Sequence, residues 1–339
     1  MDGDASIPRS PSLAPRRAVV LALGGALLGG VAGRGVAFAQ AVVPPASMAP
    51  PGGGNARPSK LVTTSLLLGG ARAGNRLVVV GEYGHVILSD DEGANWRQAK
   101  LVPTRTTLTA VTFFDERTGW AVGHGGIVLG TSDGGENWRL LSGRIDGKDA
   151  FFSVWFRDEK NGLAVGSFGY AARSNDGGAT WTPFEVVAGE MGERHLNQIF
   201  ARGKLVLIAA ESGVVFRSDD NDASFKAVTT PYKGSLWGGM ALKDGSLMLW
   251  GMRGTVLRST DDGQTWSAIP TGTEQSLSGG AQLADGSIVI VGLNGITLVS
   301  RDGGASFQVS VRPDRSNVAA VLATKSGYLM LGQTGVRTS

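Results

Sequence analysis

The chain has 339 residues, 32 Lys and Arg against 29 Asp and Glu, and is 42% hydrophobic and 18% charged, the balance of a globular protein with a real core and not of a disordered one. It has no Cys, which excludes disulfides, thiolate metal sites and Cys nucleophiles. With only three His (His85, His124 and His195), a three-His metal site would consume them all.

Residues 1–39 read as an export signal. Pro15-Arg16-Arg17 supplies a basic start, Ala18 to Gly33 an apolar stretch, and Ala37-Phe38-Ala39 a small-residue cleavage site. The stretch is short and broken by Gly, a poor membrane span, and the Arg pair raises twin-arginine export as one route. Cleavage would leave 28 basic against 27 acidic residues, so the mature chain is a weak candidate for nucleic-acid binding. Residues 40–60, rich in Pro, Ala and Gly, are expected to form a flexible tether. The folded domain is expected to run over 61–339.

From there a phrase recurs six times, ending at Trp96, Trp138, Trp181, Phe225, Trp266 and Phe307, with spacings of 42, 43, 44, 41 and 41 residues. A strand-rich repeat of this length predicts an all-β fold, a β-propeller with one four-stranded blade per repeat. In the second repeat, 108–114 reads as the inner strand, 120–123 as the second, 127–131 as the third and 138–141 as the outer, each bounded by Gly-rich turns. A seventh repeat starts at Val318 and stops at Ser339 without an outer strand. A segment within 41–63 is expected to supply that strand and close the ring, removing exposed edges. Seven blades are therefore expected, with six as the alternative.

The repeated box reads Ser/Thr-x-Asp-x-Gly/Asp-x-x-Trp/Phe, with Asp91, Asp133, Asp176, Asp220, Asp261 and Asp302. It is a hairpin turn. The carboxylate accepts backbone N–H groups, the Gly takes a positive φ, and the aromatic tucks between sheets. One copy per blade cannot converge on a metal ion, so these residues are expected to be structural, and no metal or cofactor is expected. The fourth copy is degenerate, with Asp222 for Gly and Phe225 for Trp.

In a propeller the turns between second and third strands share one face with the blade connections, and the boxes lie on the other. The first set is Gly-flanked with varied centres: Glu82-Tyr83, His124-Gly125, Ser167-Phe168, Met252-Arg253 and Leu293-Asn294 among them. Variable side chains on a rigid repeated frame suit recognition. The candidates for contacting a partner are Arg105 and Arg194 first, because the Arg fork takes a carboxylate two-handed, then His195, Lys233, Arg253, Arg315, Tyr83 and His124. Trp120, Trp155, Trp237 and Trp250 lie in strand-like runs and are expected to pack between blades.

The box resembles the bacterial neuraminidase (Asp-box) repeat of sialidases and related propellers, a motif specific for architecture and poor for function. A sialidase needs a Phe/Tyr-Arg-Ile-Pro phrase before its first box, and the nearest here is Ala56-Arg57-Pro58. Tyr83 and Tyr170 sit in equivalent turns and read as repeat decoration. A carbohydrate-active propeller, hydrolytic or glycan-binding, is the alternative.

Over roughly 61–339 the chain is similar to the photosystem II stability/assembly factor family. The carrying phrases are Leu108-Thr-Ala-Val-Thr-Phe-Phe-Asp-Glu-Arg-Thr-Gly-Trp-Ala-Val-Gly-His-Gly-Gly126, which leads into the box ending at Trp138, and Val154-Trp-Phe-Arg-Asp-Glu-Lys-Asn-Gly-Leu-Ala-Val-Gly166. The resemblance implies a seven-bladed, non-catalytic, monomeric scaffold in an extracytoplasmic compartment, the thylakoid lumen in a phototroph or the periplasm otherwise. Its implied partner is a membrane protein's loop or tail, either a photosystem II reaction-centre subunit or, in a non-phototroph, an envelope or transport complex. The family's Arg-rich patch has no dense counterpart here, since the open face mixes Arg and Lys with Glu185, Glu190, Glu193, Glu274 and Asp314.

Overall fold

A computed structural model describes residues 53–142 and 150–338. Seven antiparallel sheets follow one another along the chain, over residues 67–98, 108–142, 151–183, 196–229, 236–269, 277–311 and 318–338. We call them blades 1 to 7. The first six have four strands each, ordered as in the sequence, and the seventh has three. This is a seven-bladed β-propeller, as the repeat length requires. No helix among the described residues is long and apolar enough to cross a membrane.

Each blade grades from inside outward. The second strands, such as Gly119–Gly123 and Leu205–Ala210, are buried at every residue, because both faces of a central strand press against neighbouring blades. Outer strands such as Gln308–Val311 are exposed throughout. The apolar core divides into seven clusters, one at each seam between blades. Val78, Val80 and Leu88 of blade 1, for example, meet Ala121, Leu129 and Trp138 of blade 2.

The boxes behave as hydrogen-bonded turns. Asp133 accepts from the Asn137 backbone N–H at 3.0 Å, the Thr131 hydroxyl at 2.9 Å and the Asn137 side-chain amide at 2.9 Å. The Trp138 indole N–H then donates to the Gly135 carbonyl at 2.9 Å. In the degenerate fourth copy Asp222 itself adopts φ 62°. Its carboxylate lies 2.7 Å from Arg157 and 3.5 Å from Arg173 of blade 3. The substitution thus exchanges conformational freedom for a tie across the seam.

Closure of the ring involves the N-terminal segment, as expected. Blade 7 acquires no fourth strand from the described residues, and residues 41–52 lie outside them. Among the described residues the seal is made by a turn. The Val336 N–H donates to the Thr63 carbonyl at 3.0 Å, and Val62 is buried with Leu322, Leu329 and Leu331 of blade 7. On the box side Glu92 of blade 1 accepts both Arg72 guanidinium arms, at 2.9 and 2.8 Å, and the Lys325 backbone N–H of blade 7 at 3.0 Å. Residues 53–60, expected as a tether, are bonded to blade 1. Ala56 donates its N–H to Val102 at 2.9 Å, and Gln98 donates to the Arg57 carbonyl at 3.2 Å. The physical reason is that 53–63 leads into the first strand of blade 1, and its polar backbone finds partners on Gln98 at that blade's outer edge and on Val102 just beyond it. The signal-peptide and linker expectations for 1–52 lie outside the described residues.

A second regularity was invisible in the sequence. Every inner strand carries a β-bulge at its second residue: the register skips Leu68, Thr109, Phe152, Asn197, Trp237, Ser278 and Ala319 in turn. All seven bulged residues face the axial cavity. A bulge leaves one residue out of the ladder and re-aims it, so the ring of bulges shapes the mouth of the axis.

Candidate functional site

The open face is built from the Gly-flanked turns and the blade connections packed behind them. A Cβ on Gly169 would lie 1.8 Å from the Gly192 carbonyl, and one on Gly213 equally close to the Tyr232 carbonyl. The connector therefore rests directly on the turn backbone, a contact only Gly permits. The residue just before that Gly is left-handed: Tyr83 at φ 56°, Phe168 at 51°, Ser212 at 59°, Arg253 at 53° and Asn294 at 55°. For a bulky side chain this conformation costs about 1–2 kcal/mol. Tyr83 and Phe168 adopt it while 63% and 66% exposed. Two large apolar rings held strained and open to solvent are the signature of a surface built to be covered. The turns of Tyr83 and Tyr170 are indeed equivalent, but the positions differ: Phe168 matches Tyr83, whereas Tyr170 follows the Gly, is buried, and stacks on Phe151 at 4.7 Å.

Tyr83 and Arg105 come together. With His85, Arg57, Pro58 and Leu61 they line a concavity of about 470 Å³ between the blade 1 turn and the N-terminal connector. Arg105 is positioned by donating Nε–H to the Asn55 carbonyl at 2.9 Å, which leaves the outer nitrogens of its fork without a bonded partner among the described residues. Tyr83 meets His85 edge-on, with ring centres 5.9 Å apart. Burial pushes the His85 imidazole below its usual value, with the Glu82 carboxylate opposing, so the ring is neutral at pH 7. Its Nδ1 is buried without a hydrogen-bond partner. Two guanidinium groups, a phenol, a neutral imidazole and the 69% exposed Leu61 make a site for a carboxylate attached to an apolar segment. Sequence reasoning missed Arg57, which lies in the segment read as a tether, Leu61 at the expected start of the domain, and His85, whose only signal was its place directly after a Gly-flanked turn.

His195 has a different place. Its Nδ1 accepts the Phe168 N–H at 2.9 Å, its Nε2 lies 3.9 Å from Glu211, and its ring stands 4.5 Å from Phe168 and 6.0 Å from Phe152. It thus ties the blade 3 turn to blade 4 and braces Phe168. Arg194, next to it, offers its carbonyl to the Gly169 N–H at 2.8 Å, and its guanidinium has no bonded partner among the described residues. The same holds for the side chains of Lys233, Arg253 and Arg315, all exposed. Lys233 and Arg253 are neighbours, because Tyr232 Oη donates to the Met252 carbonyl at 3.0 Å. Arg315 stands apart over blade 6, and exposed His124 over blade 2. The eight candidates therefore form one compact pair at blade 1, a looser arc over blades 3 to 6 and a lone His124 over blade 2, not a single patch.

The box face is different in kind. Several of its cations are paired with carboxylates: Arg76 with Asp90 at 2.6 Å, Arg157 with Asp222 at 2.7 Å, Arg258 with Asp244 at 2.7 Å, and Arg202 with Asp262. On the open face Arg312 with Asp314, at 3.2 Å, is the one Arg–carboxylate pair among the described residues.

The comparisons with known proteins agree with this architecture. A family model described as "Photosynthesis system II assembly factor YCF48" matches residues 135–292. The chain resembles this family in motif and in fold alike. A structure titled "YCF48 bound to D1 peptide" has 19% identity and a TM-score of 0.67, covering 82% of this chain and 94% of that one. YCF48 from Cyanidioschyzon merolae has 16% identity and a TM-score of 0.63, covering 82% and 95%. The WD40 propeller domain of Doa1 matches as well, at 15% identity and TM-score 0.65, over 83% and 93%, so shape by itself does not select a function. A comparison with curated proteins finds no match.

Proposed function

We propose that this protein is an exported, non-enzymatic assembly factor that holds an extracytoplasmic segment of a membrane protein on its open face. The observation that carries the reading is the blade 1 concavity, where Arg57 and Arg105 flank strained, exposed Tyr83 and buried, unpartnered His85. A partner's carboxylate would sit in the Arg forks, and an adjoining apolar residue would cover Tyr83 and Leu61. The family match and the relative bound to a D1 peptide support this reading. In a phototrophic host the partner is a photosystem II reaction-centre subunit; elsewhere it is an envelope or transport complex. The protein acts as a monomer in the periplasm or the thylakoid lumen.

The test is in vivo crosslinking and recovery from solubilised membranes, with wild type beside Arg57→Glu and Arg57→Glu/Arg105→Glu. One dominant membrane protein recovered by wild type and lost by both variants is the expected result. Equal recovery by all three, with normal melting curves, would move the site off blade 1.

A further inference from the structure

We propose that the axial cavity is a second binding site, and that it takes one neutral hydroxylated ring of the size of a single sugar unit. The cavity measures about 370 Å³, within the range of small-ligand sites. None of its lining residues is Asp, Glu, Lys, Arg or His, so a charged guest would be buried without a counter-charge.

The polar groups on the wall sort into committed and free. At three bulges the side chain is spent on the next blade: Thr109 donates to the Phe151 carbonyl at 2.6 Å, Asn197 to the Leu236 carbonyl at 2.7 Å, and Ser278 to the Val318 carbonyl. These bonds staple blade 2 to 3, 4 to 5 and 6 to 7. Two donors remain. Trp250 is 1% exposed and its indole N–H has no partner. Gln198 uses its carbonyl oxygen to accept the Gly239 N–H at 3.0 Å, which leaves its NH2 group without a bonded partner among the described residues.

Trp250 is placed there by design of the surrounding backbone. A Cβ on Gly238 would lie 2.8 Å from the indole, and one on Gly280 3.1 Å from it. Both glycines make room for the ring to reach from the seam of blades 5 and 6 to the axis. The free donors of the wall, the Gln198 amide first, favour an occupant that accepts a hydrogen bond over a purely apolar one. Trp155 and Trp237, both half-buried on the same wall, offer flat apolar faces. A neutral ring with C–H faces and oxygen acceptors suits the indole faces and the Gln198 amide together.

The eight Trp of the chain allow a direct readout by two-dimensional NMR of indole N–H groups on the full mature protein. The Trp250 signal is assigned by its loss in Trp250→Phe. Titration with glucose, N-acetylglucosamine and galactose should shift that signal saturably for at least one sugar. Trp237→Ala, a change at a half-buried bulge that spares the seams, should weaken the same sugar about tenfold, the effect of losing one aromatic contact. Glucuronate should not bind. No shift with any neutral sugar, a shift that survives Trp237→Ala unweakened, or glucuronate binding as well as glucose would each overturn the proposal. Because Arg57 and Arg105 lie outside this cavity, their variants should bind the sugar normally, so failure here is separate from failure of the open-face reading.

Discussion

Replacing Gly335 by Ala tests whether the ring is held shut by the turn at residues 62–64. Gly335 has φ +83°, and a Cβ there would lie 1.9 Å from the Thr63 carbonyl oxygen and 2.6 Å from the Thr64 Cα. Gly303, at φ +70°, has nothing within 4 Å of the same added atom. Both substitutions pay the left-handed penalty of about 1–2 kcal/mol. Only the first must also displace backbone. It would break the Val336–Thr63 hydrogen bond, at about 1 kcal/mol net, and lift Val62, now 7% exposed, from the blade 7 seam, at about 1.5–3 kcal/mol. Gly335→Ala should therefore cost about 3.5–6 kcal/mol, and Gly303→Ala about 1–2 kcal/mol. For a domain of this size each kcal/mol lowers Tm by about 2–4 °C, so the two variants should melt at least about 5 °C apart in differential scanning calorimetry. Equal melting temperatures would refute the account, and closure would then lie elsewhere.

Asp133→Ala removes the acceptor of three hydrogen bonds and should destabilise by about 2–4 kcal/mol while leaving partner recovery intact; lost recovery at normal Tm would assign the box face a binding role. Glu92 is held down to about 2 chiefly by the Arg72 guanidinium, with the Lys325 backbone N–H adding to it. A lowered folded value means that its contribution is complete above the ordinary carboxylate range and is lost as pH falls from about 4.5 toward 2. Wild type should thus lose more stability than Glu92→Gln over that window in urea titrations, and parallel curves would contradict the seam role of this carboxylate. Tyr83→Gly relieves the left-handed strain and should melt no lower than wild type, yet recover less partner; a clear drop in Tm with full recovery would make Tyr83 a structural residue.

Much of this was legible in the sequence for a local reason. The repeat spacing, the apolar runs of the second strands and the Asp-Gly-aromatic turns are each decided within a few residues, so the box carboxylates and the seven-fold count followed from pattern. Arg105 and Tyr83 were also found, because the turn and connector positions repeat. What pattern could not supply was anything joining residues far apart in the chain. Arg57 and His85 became visible only once the connector folded back onto blade 1, and the sequence of 53–60, rich in Pro and Gly, reads the same whether tethered or docked. Phe168 and His195 are distant in the sequence but share one hydrogen bond across a seam. The ring of bulges has no residue signature at all, since Leu68, Thr109 and Trp237 occupy the same place. The sequence by itself determined the blade, because turn chemistry and strand burial are short-range. The tertiary structure decided how the ring closes, which cations are left unpaired and what faces the axis, because those depend on which polar groups still lack a partner after the seven sheets have packed.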